Sequence, residues 1–216
     1  MGAQAYKIIE QLSDYITDDV IEIGSERGEG STTYFKTFCK DKHNFYTVDL
    51  DDTVYKNAKN IVGPNAYHMT GETFLTEKYP NLSGKISFAY LDNFDYVFPE
   101  IEGRDFVKEQ IEQYKEYGIE MNNHNSELAH LKQAQLVHKH ASDACFILFD
   151  DTYIDHTGEY SGKGGMAIKW LLENGWKIMN EEEGAFKRKY ERYQNYGEWK
   201  STLKNYWFIL GKINNE

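Results

Sequence analysis

A short apolar run that ends in an acid and then breaks into glycines constrains this chain more than any other feature. Val20, Ile21 and Ile23 surround Glu22, and the run passes directly into Gly24-Ser25-Glu26-Arg27-Gly28-Glu29-Gly30-Ser31-Thr32, with the helix-like segment Thr33–Phe38 behind it. A strand, a glycine turn and a helix in that order form a ligand-binding arrangement. The glycines let a ligand approach the backbone, and the first helical turn offers N–H groups with no intrahelical partner. A carboxylate or phosphate sits favourably there, and Ser31 and Thr32 add hydroxyl donors. The competing reading is a plain strand, turn and capped helix, which leaves so dense a set of glycines and hydroxyls without a purpose.

Three cofactors compete for the turn. A dinucleotide wants Gly-x-Gly-x-x-Gly, but counting from Gly24 the required glycines fall on Glu26 and Glu29, which repel a pyrophosphate. A nucleoside triphosphate wants a lysine after the last glycine, and Ser31 stands there. The segment Gly158-x-x-x-Gly162-Lys163-Gly164 is one residue too short for that motif and lacks the hydroxyl that holds magnesium. S-adenosylmethionine carries a sulfonium and an ammonium beside its carboxylate, so an acidic turn suits it. Glu22 then faces the cationic amino-acid end. A second strand, Asn44–Asp49, ends in an acid about twenty residues after the turn, where a carboxylate reads ribose hydroxyls. Nicotinamide- and nucleoside-binding proteins share this plan and stay open on these residues alone.

The remaining chain alternates strand-like and helix-like segments. A helix spans Tyr6–Ile16, strands are predicted at 19–24, 44–49, 65–69, 85–91 and 144–149, and closing strands at 176–179 and 207–210. Helices begin at Asp51-Asp52-Thr53 and at Met166, the latter stopped by Gly175. Such alternation gives a mostly parallel sheet covered on both faces, in one domain spanning 1–216. Residues 94–143 are too many for one crossover helix. They read as a helical insertion with helices over 104–117 and 126–140, serving as a lid or as a contact between copies of the chain.

The formal net charge of -11 argues against nucleic acid or an anionic membrane as partner. Cys39 and Cys145 have neither metal nor redox spacing, and no apolar run reaches transmembrane length. A cytoplasmic protein acting on a small molecule is the simplest expectation.

A second set of acids stands at strand ends. Asp92 follows the fourth strand, and Asp150-Asp151 follows the fifth. Three converging carboxylates with no evident basic partner repel one another, and a divalent cation is the natural remedy, with oxygen ligands that suit magnesium, calcium or manganese.

Glu22-x-Gly24-x-x-x-Gly28 with Asp49, together with Tyr90-Leu91-Asp92 and Phe149-Asp150-Asp151, resembles the class I S-adenosylmethionine-dependent methyltransferases, and within them the metal-dependent O-methyltransferases of catechol and sugar type. The resemblance runs from about Val20 to Trp176 and implies a Rossmann-like, doubly wound α/β fold with a mostly parallel seven-stranded sheet and helices on both faces. It implies cofactor contacts at Glu22, Gly24, Ser25, Gly28, Ser31, Asp49, Leu50, Glu72, Thr73 and Asp92. It implies magnesium on Asp92, Asp150 and Asp151, gripping an acceptor hydroxyl. The catechol enzymes place a basic lysine three residues after the fourth-strand acid, where this chain has Asp95. Asp95 is therefore the candidate general base, with His130 second; His124 and His156 are further candidates for base or acceptor contact. Two rivals remain on the sequence: a nucleotide-dependent enzyme on a similar sheet, and a cofactor-binding module without catalysis.

Overall fold

The computed structural model describes residues 5–25, 30–97, 101–155, 157–179 and 207–213. Its centre is a seven-stranded sheet formed by β1 (Asp19–Ile23), β2 (Phe45–Asp49), β3 (Ala66–His68), β4 (Ile86–Leu91), β5 (Ala141–Phe149), β8 (Lys177–Ile178) and β9 (Phe208–Ile213), in the order β3-β2-β1-β4-β5-β9-β8. β1 pairs in parallel with both β2 and β4, and β4 with β5; only β9 runs antiparallel to its neighbours. The chain moves one way from β1 to β3 and the other way from β4 onward. The crevice between β1 and β4 is therefore the topological switch point, where open parallel sheets bind ligands.

Period-two alternation splits the core into two layers. Ile21, Ile23, Ala89, Leu91, Ile147 and Phe149 pack on one face, against α5 (Asn123–His140) and α6 (Gly165–Glu173). Val20, Phe88, Tyr90, Phe146 and Leu148 pack on the other, around Phe35 of α1 (Ser31–Phe38) and Ala58 of α2 (Asp52–Val62). Glu22 belongs by register to this second face, a carboxylate between apolar neighbours.

The helix signals act as the residues suggest. Asp51 caps α2 by accepting from Val54 N at 2.8 Å, and Asn122 caps α5 by accepting from Asn125 N at 2.8 Å. Gly175, at φ +83°, lets the chain leave α6. Several details differ from the sequence reading. The first helix, Ala5–Tyr15, is a 3₁₀ helix, with Ile9 wholly buried. The Gly71–Thr73 turn is the first turn, α3, of a longer helical run reaching Asn81 through a π segment. A separate hairpin of β6 (Thr152–Ile154) and β7 (Tyr160–Gly162) follows β5. Its short strands and the intervening turn carry no periodicity long enough to read.

The long 94–143 segment divides in two. α5 is the crossover helix that joins β4 to β5 and packs on α6, so the surplus lies before it and is built around α4 (Asp105–Glu116). Among the described residues no helix is long and apolar enough to cross a membrane. Both cysteines are buried thiols.

Candidate functional site

The carboxyl ends of β1 and β2 form one half of a rim. Gly24 leaves β1 with φ +94°, and a Cβ there would lie 2.6 Å from Asn93 N and 2.7 Å from Asp92 O. Only glycine lets the β1 turn and the β4 exit touch in this way. Glu22 is completely buried, and its Oε2 accepts hydrogen bonds of 2.6 Å from both Thr32 and Thr47 hydroxyls. Its Oε1 makes no hydrogen bond of normal length, with Ser31 alongside lending weaker support. Burial pushes this carboxyl up to about 7, against the help of those hydroxyls. Ser25 Oγ is likewise buried without a hydrogen bond of normal length, lending weaker support to Asp49.

Asp49 ends β2 and organises the backbone around it. Its Oδ2 accepts from Ser25 N at 2.8 Å and its Oδ1 from Asp51 N at 2.9 Å. Leu50 follows, its carbonyl 2.8 Å from His68 Nε2. Glu72 and Thr73 lie on the first turn of α3, which Thr70 caps at Thr73 N, and Glu72 Oε1 accepts from Gln133 Nε2 at 3.0 Å. Gly28 lies outside the described residues, as does His156.

β4 and β5 form the other half. Asp92, Asp150 and Asp151 do come together, but the premise of a missing basic partner is corrected by Lys163. This lysine is 3% exposed, with Nζ 2.9 Å from Asp92 Oδ1 and 3.1 Å from Asp151 Oδ2. The Tyr90 hydroxyl lies 2.9 Å from Asp92 Oδ2, to which it donates, and 3.2 Å from Asp150 Oδ2. Burial opposes the lysine's charge, but Asp92, Asp151 and Asp95 outweigh it and hold the ammonium well above its usual range. Both Asp92 oxygens are thus taken by protein donors. Among the described residues no group of three acids, histidines or cysteines is arranged to hold a metal ion. The donor set does not fit the magnesium that the resemblance implies: an ammonium already stands among the carboxylates that would grip it.

Lys163 is seated by glycines. A Cβ at Gly162 (φ +84°) would fall 2.1 Å from Asp151 O, and one at Gly164 would fall 2.8 Å from Thr152 Oγ1. The signal that could have found it is the string Gly162-Lys163-Gly164-Gly165, read as a lysine delivered by a tight turn rather than as a failed phosphate loop. Asp151 (φ +44°) and Phe94 (φ +54°) both hold left-handed backbone at this rim, a strain that the surrounding contacts must maintain.

The segment after β4 is pinned by α4 and α5. Asp95 N donates to the Tyr114 hydroxyl at 3.0 Å, and Asp95 Oδ2 accepts from Gln110 Nε2 at 3.0 Å. Ser126 Oγ donates to Phe94 O, and Asn123 pairs with both backbone groups of Val97. From its far end α4 reaches Asp51 through Gln113 and Tyr117. The surplus segment therefore bridges the two halves of the rim. His130, on α5, is fully buried. Its Nδ1 lies 2.7 Å from Ser126 O, while Nε2 has no partner among the described residues. Burial, with Lys163 nearby, lowers its pKa to about 3. It is a neutral ring at pH 7 and a weak base. His124 lies in the first turn of α5, where its charge bears on Glu127.

No protein-family model and no curated protein matches the chain. Solved structures do. An O-methyltransferase from Bacillus cereus, in complex with SAH, is 10% identical with a TM-score of 0.51, covering 98% of this chain and 80% of that one. A putative O-methyltransferase from Klebsiella pneumoniae is 10% identical with a TM-score of 0.50, over 100% and 82%. A putative rRNA-methylase from Clostridium thermocellum is 11% identical with a TM-score of 0.51, over 95% and 97%. The chain has the Rossmann-like fold that these methyltransferases share.

Proposed function

We propose that this protein is an S-adenosylmethionine-dependent methyltransferase that transfers a methyl group to oxygen on a small molecule. The observation that carries the reading is Glu22. A fully buried carboxylate with one oxygen lacking a normal hydrogen bond, at the switch point and with no cationic partner among the described residues, is an unfinished ion pair. A ligand bearing a positive charge completes it, and S-adenosylmethionine is cationic at its amino-acid end. When bound, it supplies an electrophilic methyl on sulfur.

The residues fit that group. Glu22 Oε1 would take the ammonium, and Ser25 Oγ with Ser31 at the start of α1 would take the carboxylate. Asp49 is already oriented by two backbone amides and keeps acceptor capacity for ribose hydroxyls. Leu50, Glu72 and Thr73, at the end of β2 and in the first turn of α3, would border the same ligand. Asp92 joins the two halves through the Gly24 contact. Much of the rate gain then lies in holding donor and acceptor together. Asp95, fixed by Gln110 and Tyr114, is the proposed proton acceptor, and neutral His130 offers Nε2 to the acceptor molecule. A net charge of -11 supports a small-molecule acceptor over nucleic acid, and two buried thiols suit the cytoplasm.

Titration calorimetry with S-adenosylmethionine and with its demethylated product tests the reading. Saturable binding of both is expected, weakened about tenfold or more in Asp49→Asn, which loses a charged acceptor. Absence of binding by either ends the proposal. Binding without methyl transfer to any acceptor in a broad extract, followed by mass spectrometry, would make the protein a cofactor-binding module instead.

A further inference from the structure

Three acids at neighbouring strand ends need positive charge, and this chain supplies it internally. We propose that Lys163 is the fixed cation of the β4–β5 rim, occupying the place a divalent ion would take, so that the site works without a metal. The inference rests on the proposed function only in regarding this half of the rim as the acceptor side.

The geometry argues for a role beyond packing. Lys163 meets two carboxylates from two different strands, Asp92 at 2.9 Å and Asp151 at 3.1 Å, and sits within electrostatic reach of Asp95. An ammonium offers three donors. These contacts use two of them, which leaves one for a ligand oxygen. The Nε2 of buried His130, without a partner among the described residues, belongs to the same neighbourhood, since Lys163 and Asp151 both act on that ring. The turn that delivers the lysine tolerates no side chain at Gly162 or Gly164 without displacing Asp151 or Thr152. Asp151 itself is held in a left-handed conformation. A lysine that merely filled space would not need a strained acid and two obligatory glycines around it.

A hydrated magnesium ion wants near-octahedral oxygen ligands. Here the inward oxygens of Asp92 are bound by Lys163 and Tyr90, so an entering ion must first expel a like charge. Without the lysine, the acids become a ready ligand set. Lys163→Ala is therefore expected to create a divalent cation site that the native protein does not have.

The test is titration of Mn2+ followed by electron paramagnetic resonance, in which bound Mn2+ loses its free-ion signal. Wild-type protein should leave that signal unchanged. Folded Lys163→Ala, checked by circular dichroism, should bind Mn2+ at least about tenfold more tightly than wild type. Adding Asp92→Asn to it should remove the gain. A lysine that does not occupy the place of a cation would leave Mn2+ affinity unchanged on its removal. Lys163→Gln, which keeps hydrogen-bonding capacity, serves where the alanine variant fails to fold, and the wild-type titration decides by itself if neither folds. Two results overturn the proposal: Mn2+ binding by the wild type that Asp92→Asn abolishes, or folded Lys163 variants that bind no better than wild type. Calorimetry with S-adenosylmethionine on the same wild-type sample keeps the two ideas apart. Lack of cofactor binding defeats the methyltransferase reading and leaves the Mn2+ result intact.

Discussion

The two halves of the rim solve the same problem differently. Around β1 and β2, Glu22 and Asp49 are held only by neutral donors, namely threonine hydroxyls and backbone amides. Around β4 and β5, Asp92 and Asp151 are held by an ammonium from within the chain. One half is complete without a ligand and the other is not. A buried carboxylate lacking a countercharge protonates or waits for a cation, whereas at Asp92 burial pushes the carboxyl up and the Lys163 ammonium beside it pulls it back. Unfilled charge therefore marks the donor side, and filled charge marks a rim built to orient.

A third acid calibrates the comparison. Asp19, at the opposite end of β1, is buried and accepts from Tyr79 at 2.9 Å and from Asn44 at 2.9 Å. Gly84 presses against it, and a Cβ there would lie 1.9 Å from Oδ2. No room remains for a ligand, so this acid is part of the architecture. Strand-end acids acquire a function only where the topology opens a crevice.

The largest expected effect falls on the filled half. Lys163→Met leaves Asp92 and Asp151 facing each other with no countercharge, and should cost about 3–5 kcal/mol in a urea titration. Adding Asp92→Asn should recover a large part of it. A midpoint unchanged by Lys163→Met would erase the distinction between the halves.

Next comes the unfilled half. Glu22 has a folded pKa of about 7 against an ordinary 4.5, so the folded state holds an extra proton between those values. Its favourable contribution is complete below pH 4.5 and is lost as pH rises through 7, a difference of about 3 kcal/mol. Glu22→Gln should flatten that part of the stability profile. A cationic ligand prefers the ionised form, so cofactor affinity should rise between pH 6 and pH 8 with release of a proton, seen as a buffer-dependent heat. Heats that do not vary with buffer would place the ligand charge elsewhere.

The junction between the halves is a smaller lever. Gly24→Ala forces a Cβ against the Asp92–Asn93 backbone from a left-handed conformation, and should cost about 1–3 kcal/mol while weakening cofactor binding. Tyr114→Phe, which removes the hydroxyl that holds Asp95, should cost only about 1 kcal/mol and shift activity more than stability. Equal losses in both measurements would make α4 a packing element rather than a brace.

Much of this molecule is legible in its residues, and the limits follow a pattern. Apolar runs that stop at Asp49, Asp92 and Asp150, and helices begun by Asp51 and stopped by Gly175, are local signals, because burial period and capping depend on neighbours in the chain. The same locality exposed the Gly24 turn and the acids on both sides of it. The turn that delivers Lys163 is a local signal too, but its partner is not. Lys163 lies 71 positions from Asp92, and a charge 71 residues away has no place in a reading that moves along the chain. His130 shows the same limit: its residue type suggests a base, but full burial on the inner side of α5 makes it a neutral ring.

The succession of strands along the chain, the acids at their ends and the glycines between them were fixed by local chemistry, since each needs only its own backbone and a few adjacent side chains. Which carboxylate meets a cation and which is left open was settled only when distant segments folded onto one edge of the sheet, because electrostatic pairing depends on distance in space and on the water that burial removes.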